Sequence, residues 1–285
     1  MNEEKPVLGL ILSVIIVILS GFAVLTGLLH PQIYHQNSNA LLPWIISRDI
    51  LTLALGLPFL VITTCLAAGN SRRGYLTWMA ALGYFIYTYG NYVFAIGSNQ
   101  LFLVNLVLFA CSIFALIAVL GQLDVESTGL WFLAKTPIYA IALLFWVSGL
   151  LMAAFWLKDL IPALLNSKFP AIPVVAGNMT MVTPVFDLGF ISPLFLISGV
   201  WLWKRRPWGY TLTSLLLYQA ATLGITILIK NWISLTQHQT VNLGLVYGVL
   251  LYTAIAIVLA LLFLKNLREE TLKSFNTRIS GRFAR

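Results

Sequence analysis

A chain of 285 residues in which 60% are hydrophobic and only 9% charged cannot clothe a water-exposed surface, because soluble domains carry roughly 25% charged residues. Apolar runs of about 20 residues recur along it, each long enough to cross a hydrocarbon core of ~30 Å. With no water in that core, each run must satisfy its own backbone groups, so the expectation is an all-α polytopic membrane protein; the alternating segments of about 10 residues that mark transmembrane strands are absent.

Eight spans are predicted in chain order: Val7–Leu29, Ile50–Ala68, Tyr75–Ile96, Leu101–Leu120, Ile138–Trp156, Asp187–Leu202, Tyr210–Ile229 and Leu243–Leu264. The first is too long for a signal peptide, and His30-Pro31-Gln32 rather than a small-residue cleavage site follows it, so it is expected to persist as a helix. An even span number puts both termini on one side. Placing them inside leaves 13 of the 17 basic residues there and only Arg48, Lys158, Lys168 and Lys230 outside. The positive-inside rule therefore predicts a cell (cytoplasmic) membrane protein with both termini cytoplasmic. The net charge of +8 then needs no nucleic-acid partner. Membrane lipids are the expected neighbours, with the basic tail 265–285 lying near anionic head groups or acting as a solvated stop signal.

Two short phrases, "SRRGYLT" from Ser71 and "KRRPWGYTLT" from Lys204, stand before apolar runs. A shift of 135 positions lays Pro58 on Pro193, Gly74 on Gly209 and Tyr75 on Tyr210, with "PFLVIT" facing "PLFLIS". Four spans per copy is even, so the copies would share one orientation, as parallel repeats do. The expected organisation is a 4+4 repeat: a first four-helix unit at 1–136, a second at 137–264 and a basic tail at 265–285. Pro58 and Pro193 each remove a backbone donor and are expected to kink the second and sixth helices.

Polar residues inside spans mark where function is to be sought. Helical spacing gathers Tyr84, Tyr87, Thr88 and Asn91 on one face of the third span. Asn105 lies on the fourth span and Gln219 on the seventh; Arg48-Asp49 and Asp187 open the second and sixth spans, and Lys230 closes the seventh. The expectation is a ligand-binding cavity open to the outside and lined by Arg48, Asp49, Tyr84, Tyr87, Asn91, Asn105, Asp187, Gln219 and Lys230. Helix starts also favour acids through the helix dipole, so Asp49 and Asp187 can equally be read as N-terminal caps, and Asn or Gln can serve only to hydrogen-bond between helices.

No cofactor and no metal is expected. His30, His35 and His238 all fall near the outer surface, none deep in a span, and Cys65 and Cys111 have no partner at metal or redox spacing. Zincin, Walker, nucleophile-elbow and dinucleotide signatures are missing, so no catalytic residue is assigned. Asn178-Met179-Thr180 fits a glycosylation acceptor, relevant only in a eukaryotic secretory route.

The stretches "RDILTLALGLPFL", "YFIYTYGNYVFAIGSNQLFLVNLVLFA" and "VTPVFDLGFISPLFLISGVWLWKRRPWGY" resemble those of a family of uncharacterised bacterial multi-pass membrane proteins. The resemblance covers most of the chain and implies a bacterial inner-membrane location but no activity. Three functions stay open at this point: a carrier or channel for a small solute, a non-catalytic sensor or accessory subunit with a protein partner, and a membrane enzyme acting on a lipid at the outer face.

Overall fold

The computed structural model describes residues 6–34, 41–96, 99–167 and 181–268. Lys5, His35, Lys168, the Asn178-Met179-Thr180 triplet and the tail beyond residue 268 lie outside the described residues.

The described residues form eight long helices: α1 Val7–Leu29, α2 Leu42–Ala68, α3 Arg72–Ala95, α4 Phe102–Leu120, α5 Ile138–Leu165, α6 Val182–Trp203, α7 Pro207–Thr236 and α8 Leu243–Lys265. Seven are long and apolar enough to cross a membrane; α3 is the exception. Its 24 residues include Arg72, Arg73, five tyrosines and Asn91, and 18 of the 24 are buried. The reason α3 is less apolar is packing. It is enclosed by α2, α4, α6 and α7, so its side chains meet protein rather than the surroundings, and polar groups there can be partnered. The outer helix α8 is the opposite case: Leu243, Leu250, Leu251, Val258 and Leu261 all stand exposed.

Helices α1–α4 pack in a closed ring of neighbours, α1 on α2 and α4, α3 on α2 and α4. In the second half α6 packs on α5 and α7, and α7 on α8. The halves meet where α7 packs on α2 and α3, with the start of α6 also touching α3.

The two phrases that look alike in the sequence form two turns of one design. After α2, Ser71 N–H bonds to Leu66 O and Asn70 N–H to Ala67 O; after α6, Arg206 N–H bonds to Trp201 O and Arg205 N–H to Leu202 O. This crossed pair closes a helix with one left-handed residue, and Asn70 (φ 62°) and Arg205 (φ 54°) occupy it. The next helix starts in two ways. The Ser71 hydroxyl accepts from Gly74 N–H at 3.1 Å to cap α3, whereas α7 opens on Pro207, whose fixed φ and missing N–H suit a first helical position. A Cβ on Gly74 would fall 2.4 Å from Ala67 N, and one on Gly209 2.4 Å from Leu202 N. Only glycine lets each helix pair close so tightly.

At both prolines the helix departs from regular α geometry. Each follows a π-helical turn, Thr52–Gly56 before Pro58 and Asp187–Ile191 before Pro193. A proline in an α-helix leaves the carbonyl one turn back without its donor and presses its ring against it. Widening that turn to i→i+5 bonding relieves both. The bonds that mark the widening are Leu57 N–H to Thr52 O and Ser192 N–H to Asp187 O.

The basic residues of the first turn also bind chain. Arg73 Nη2 donates to Leu267 O at 2.9 Å and Arg72 Nη1 to Arg268 O at 3.4 Å. The Arg72 guanidinium lies 5.2 Å from the Trp131 ring centre. Residues 131–133 and 266–268 pair through Leu133 N–H to Asn266 O and Arg268 N–H to Trp131 O. The segment after α4 and the segment after α8 are thus stitched together at the basic-turn end.

Candidate functional site

The polar cluster forms at the end of the bundle opposite the basic turns. At 1.5 Å per residue, Asp49 stands about 29 Å along α2 from Ala68, and Asp187 about 24 Å along α6 from Trp203. Both are therefore near the far edge of an apolar slab rather than at its middle.

Neither aspartate caps a helix. Asp49 lies well inside the helix that begins at Leu42, and Asp187 one turn inside the helix that begins at Val182. The sequence placed the helix starts at these acids because they are the first charges met on leaving the apolar run; the helices in fact continue past them, and the side chains bond sideways. Asp49 is 3% exposed and Asp187 6% exposed. The Tyr92 hydroxyl donates to Asp49 Oδ1 at 2.6 Å and the Tyr34 hydroxyl to Oδ2 at 3.2 Å. The Tyr87 hydroxyl donates to Asp187 Oδ1 at 2.9 Å, and the Trp156 indole N–H to Oδ2 at 2.8 Å. Burial, and then the Asp49 carboxylate beside it, push the Tyr34 phenol above its ordinary range. This keeps its proton in place as a donor.

Arg48 projects differently from its neighbour Asp49. Its guanidinium lies over the Tyr87 ring, 5.3 Å from the centre. Lys230 of α7 sits over Trp44 of α2 at 5.6 Å. Among the described residues the ion pair is Lys158–Asp159, at 3.8 Å, so no lysine or arginine reaches ion-pair distance of Asp49 or Asp187.

Asn91 sits one turn beyond Tyr87. Its amide donates to the Tyr87 carbonyl at 2.9 Å and its oxygen accepts from Thr183 Oγ1 at 3.0 Å, which ties α3 to the start of α6. Tyr84 hydrogen-bonds Thr52 Oγ1 at 2.7 Å. The first residue of each π turn therefore meets a tyrosine of α3: Thr52 meets Tyr84, and Asp187 meets Tyr87. π turns inside α-helices occur often at functional sites.

Of the nine residues expected to line a site, Arg48, Asp49, Tyr84, Tyr87, Asn91 and Asp187 gather around the far half of α3, with Lys230 at the α2–α7 contact. Asn105 and Gln219 are buried on α4 and α7, but no hydrogen bond or ring contact among the described residues links them to the cluster. Sequence reasoning missed Tyr34, Tyr92, Trp156, Thr52 and Thr183. Tyr92 is next to Asn91 and could have been found by asking which group satisfies Asp49. Trp156 was expected to end the fifth span, whereas α5 runs on to Leu165.

No protein-family model matches the chain, and no curated protein or solved structure matches it either. The site must therefore be read from its own chemistry. Two carboxylates removed from water, fixed by neutral donors from three other segments, form a group that can bind a cation, a proton or a hydrogen-bonding solute.

Proposed function

We propose that the protein is a carrier for a small solute in the bacterial cytoplasmic membrane, built from two parallel four-helix units, 1–136 and 137–264, with α3 as its eighth span and both termini in the cytoplasm. The observation that carries this reading is the pairing of each π turn with a tyrosine of α3. The two interrupted helices, α2 and α6, contribute the two buried carboxylates, and α3 holds both. Carriers with repeated halves place their sites where interrupted helices face each other across the repeat. The repeat is supported by the 135-residue spacing, which relates the two π turns, the two left-handed residues, the two crossed helix ends and the two glycine contacts. The orientation is supported by the basic residues concentrated at the turn end.

Two experiments test it. Uptake of labelled amino acids, sugars, polyols and organic cations into vesicles holding the purified protein should exceed that of protein-free vesicles for at least one class and fall in Arg48→Ala. Uptake at the protein-free level across the panel would remove the carrier reading. For topology, a single cysteine at position 241 should react with an impermeant maleimide from outside intact cells, and one at position 275 should not. The reverse pattern would invert the orientation.

A further inference from the structure

The two carboxylates differ in the chemistry of their partners, and the difference assigns them separate tasks. Both partners of Asp49 are phenol hydroxyls, Tyr34 and Tyr92. A hydroxyl can donate or accept by rotating its own hydrogen. Ionised Asp49 accepts from both; protonated Asp49 donates to one phenol oxygen while still accepting from the other. Either state is hydrogen-bonded with no heavy atom moving. At Asp187, one partner is the Trp156 indole, which can only donate, so Oδ2 is committed as an acceptor. Arg48 lies over the same Tyr87 ring whose hydroxyl binds Oδ1. Asp187 thus has one oxygen fixed as an acceptor and a guanidinium on the face of its other partner, where Asp49 has two rotatable hydroxyls.

The groups facing Asp49 from each packed element fit the same division. Helix α1 brings no charged residue; it brings Gly27, whose missing side chain leaves room for the Tyr34 hydroxyl and the Asp49 carboxylate. Helix α3 brings Tyr84, Tyr89 and Tyr92, of which Tyr84 bonds Thr52 and Tyr89 bonds Ser20 at 2.5 Å. The turn after α1 brings Tyr34. Helix α7 brings Lys230, engaged with Trp44. On its own helix, Arg48 turns to Tyr87. Asp49 is thus a buried acid among hydroxyls, without a cation at pairing distance among the described residues.

We infer that Asp49 is the group that takes up and releases a proton as the solute moves, while Asp187 stays ionised. Two carboxylates a few residues from a shared helix, placed in contrasting surroundings, commonly divide acid and fixed-charge roles in this way. The step is a reversible proton transfer: the carboxylate Oδ of Asp49 gains a proton from water at one side and returns it to water at the other, with no redox change and no other reactant. This rests on the carrier reading for its use, but the proton site can be tested without any solute.

The test is infrared difference spectroscopy of the whole protein in lipid, stepped in pH. The wild type should show the carbonyl band of a hydrogen-bonded acid shielded from water, appearing as pH falls. Asp49→Asn should lose that band, Asp187→Asn should keep it, and Tyr92→Phe should shift it. A band that survives in Asp49→Asn, that is lost in Asp187→Asn, or that is missing from the wild type would overturn the assignment. So would a band removed by sodium at constant pH, which would make Asp49 a metal-cation ligand. If Asp49→Asn does not elute as folded protein, Tyr92→Phe decides, and an unshifted band counts against the inference. Failure of the vesicle uptake experiment with the infrared result intact would reject the carrier and retain the proton site.

Discussion

Gly27 of α1 lies flat against the carboxylate of Asp49: a Cβ at this position would stand 2.6 Å from Asp49 Oδ2 and 2.5 Å from the Tyr34 hydroxyl. Neither neighbour can yield without breaking their 3.2 Å hydrogen bond. Gly27→Ala should destabilise the detergent-solubilised protein by about 1–3 kcal/mol, the usual penalty for overpacking. Gly21→Ala is the control on the same helix. Its nearest neighbour would be Leu57 Cδ1 at 3.9 Å, and alanine gains roughly 0.5–1 kcal/mol of helix preference over glycine. Thermal midpoints of the two variants should move in opposite directions.

Trp156 and Tyr87 close the hydrogen-bonding needs of Asp187 from different helices. Trp156→Phe keeps the ring and removes the donor, leaving a buried carboxylate oxygen short of a partner. The expected loss is about 1–3 kcal/mol. In an Asp187→Ala background the same change should cost much less, because the oxygen that needed the donor is gone. Chemical denaturation of the four members of this cycle reads the coupling directly; equal losses in both backgrounds would mean that the bond contributes nothing.

The two tight turns should respond alike to substitution. Gly74→Ala and Gly209→Ala each bring a methyl group onto backbone atoms of the preceding helix, which have no flexible end to move aside. Both should lower stability by roughly 3 kcal/mol or more, at the upper end for overpacking. Gly248→Ala on α8, where no atom lies within 4 Å of the added carbon, should be neutral or slightly stabilising. Melting curves of the three variants make the comparison.

Arg73 holds the end of α8 through the Leu267 carbonyl. A hydrogen bond from a charged donor is worth about 1.5–3 kcal/mol. Arg73→Ala should therefore raise local opening of the 266–268 segment by about tenfold or more, since 1.4 kcal/mol is a factor of ten. Tryptic cleavage after Arg268, timed under conditions where reclosing outpaces cutting, measures it. Cleavage at the wild-type rate would mean that the Arg73 bond does not hold the segment.

The sequence by itself determined the helices, because the length of an apolar run and the need to satisfy backbone groups internally are local properties. The first helix, Val7–Leu29, and the start of the last, Leu243, match the expected limits. It also carried the 135-residue spacing of Pro58 from Pro193 and of Gly74 from Gly209, since a glycine at a close crossing and a proline inside a helix act within a few positions of themselves. The polar face Tyr84–Tyr87–Asn91 was legible for the same reason: it lies on one helix. What only the tertiary structure decided was who answers each charge. Asp49 is met by Tyr34 and Tyr92, 15 and 43 positions away, and Asp187 by Tyr87 and Trp156, 100 and 31 positions away. Arg72 and Arg73, which read as a topology signal, bind carbonyls nearly 200 residues on. Helical periodicity says which residues share a face, but the hydrogen bonds of a buried carboxylate are made across helices. Their identity depends on the rotation and depth of each neighbour, which are set by packing at places such as Gly27, Gly74 and the two π turns.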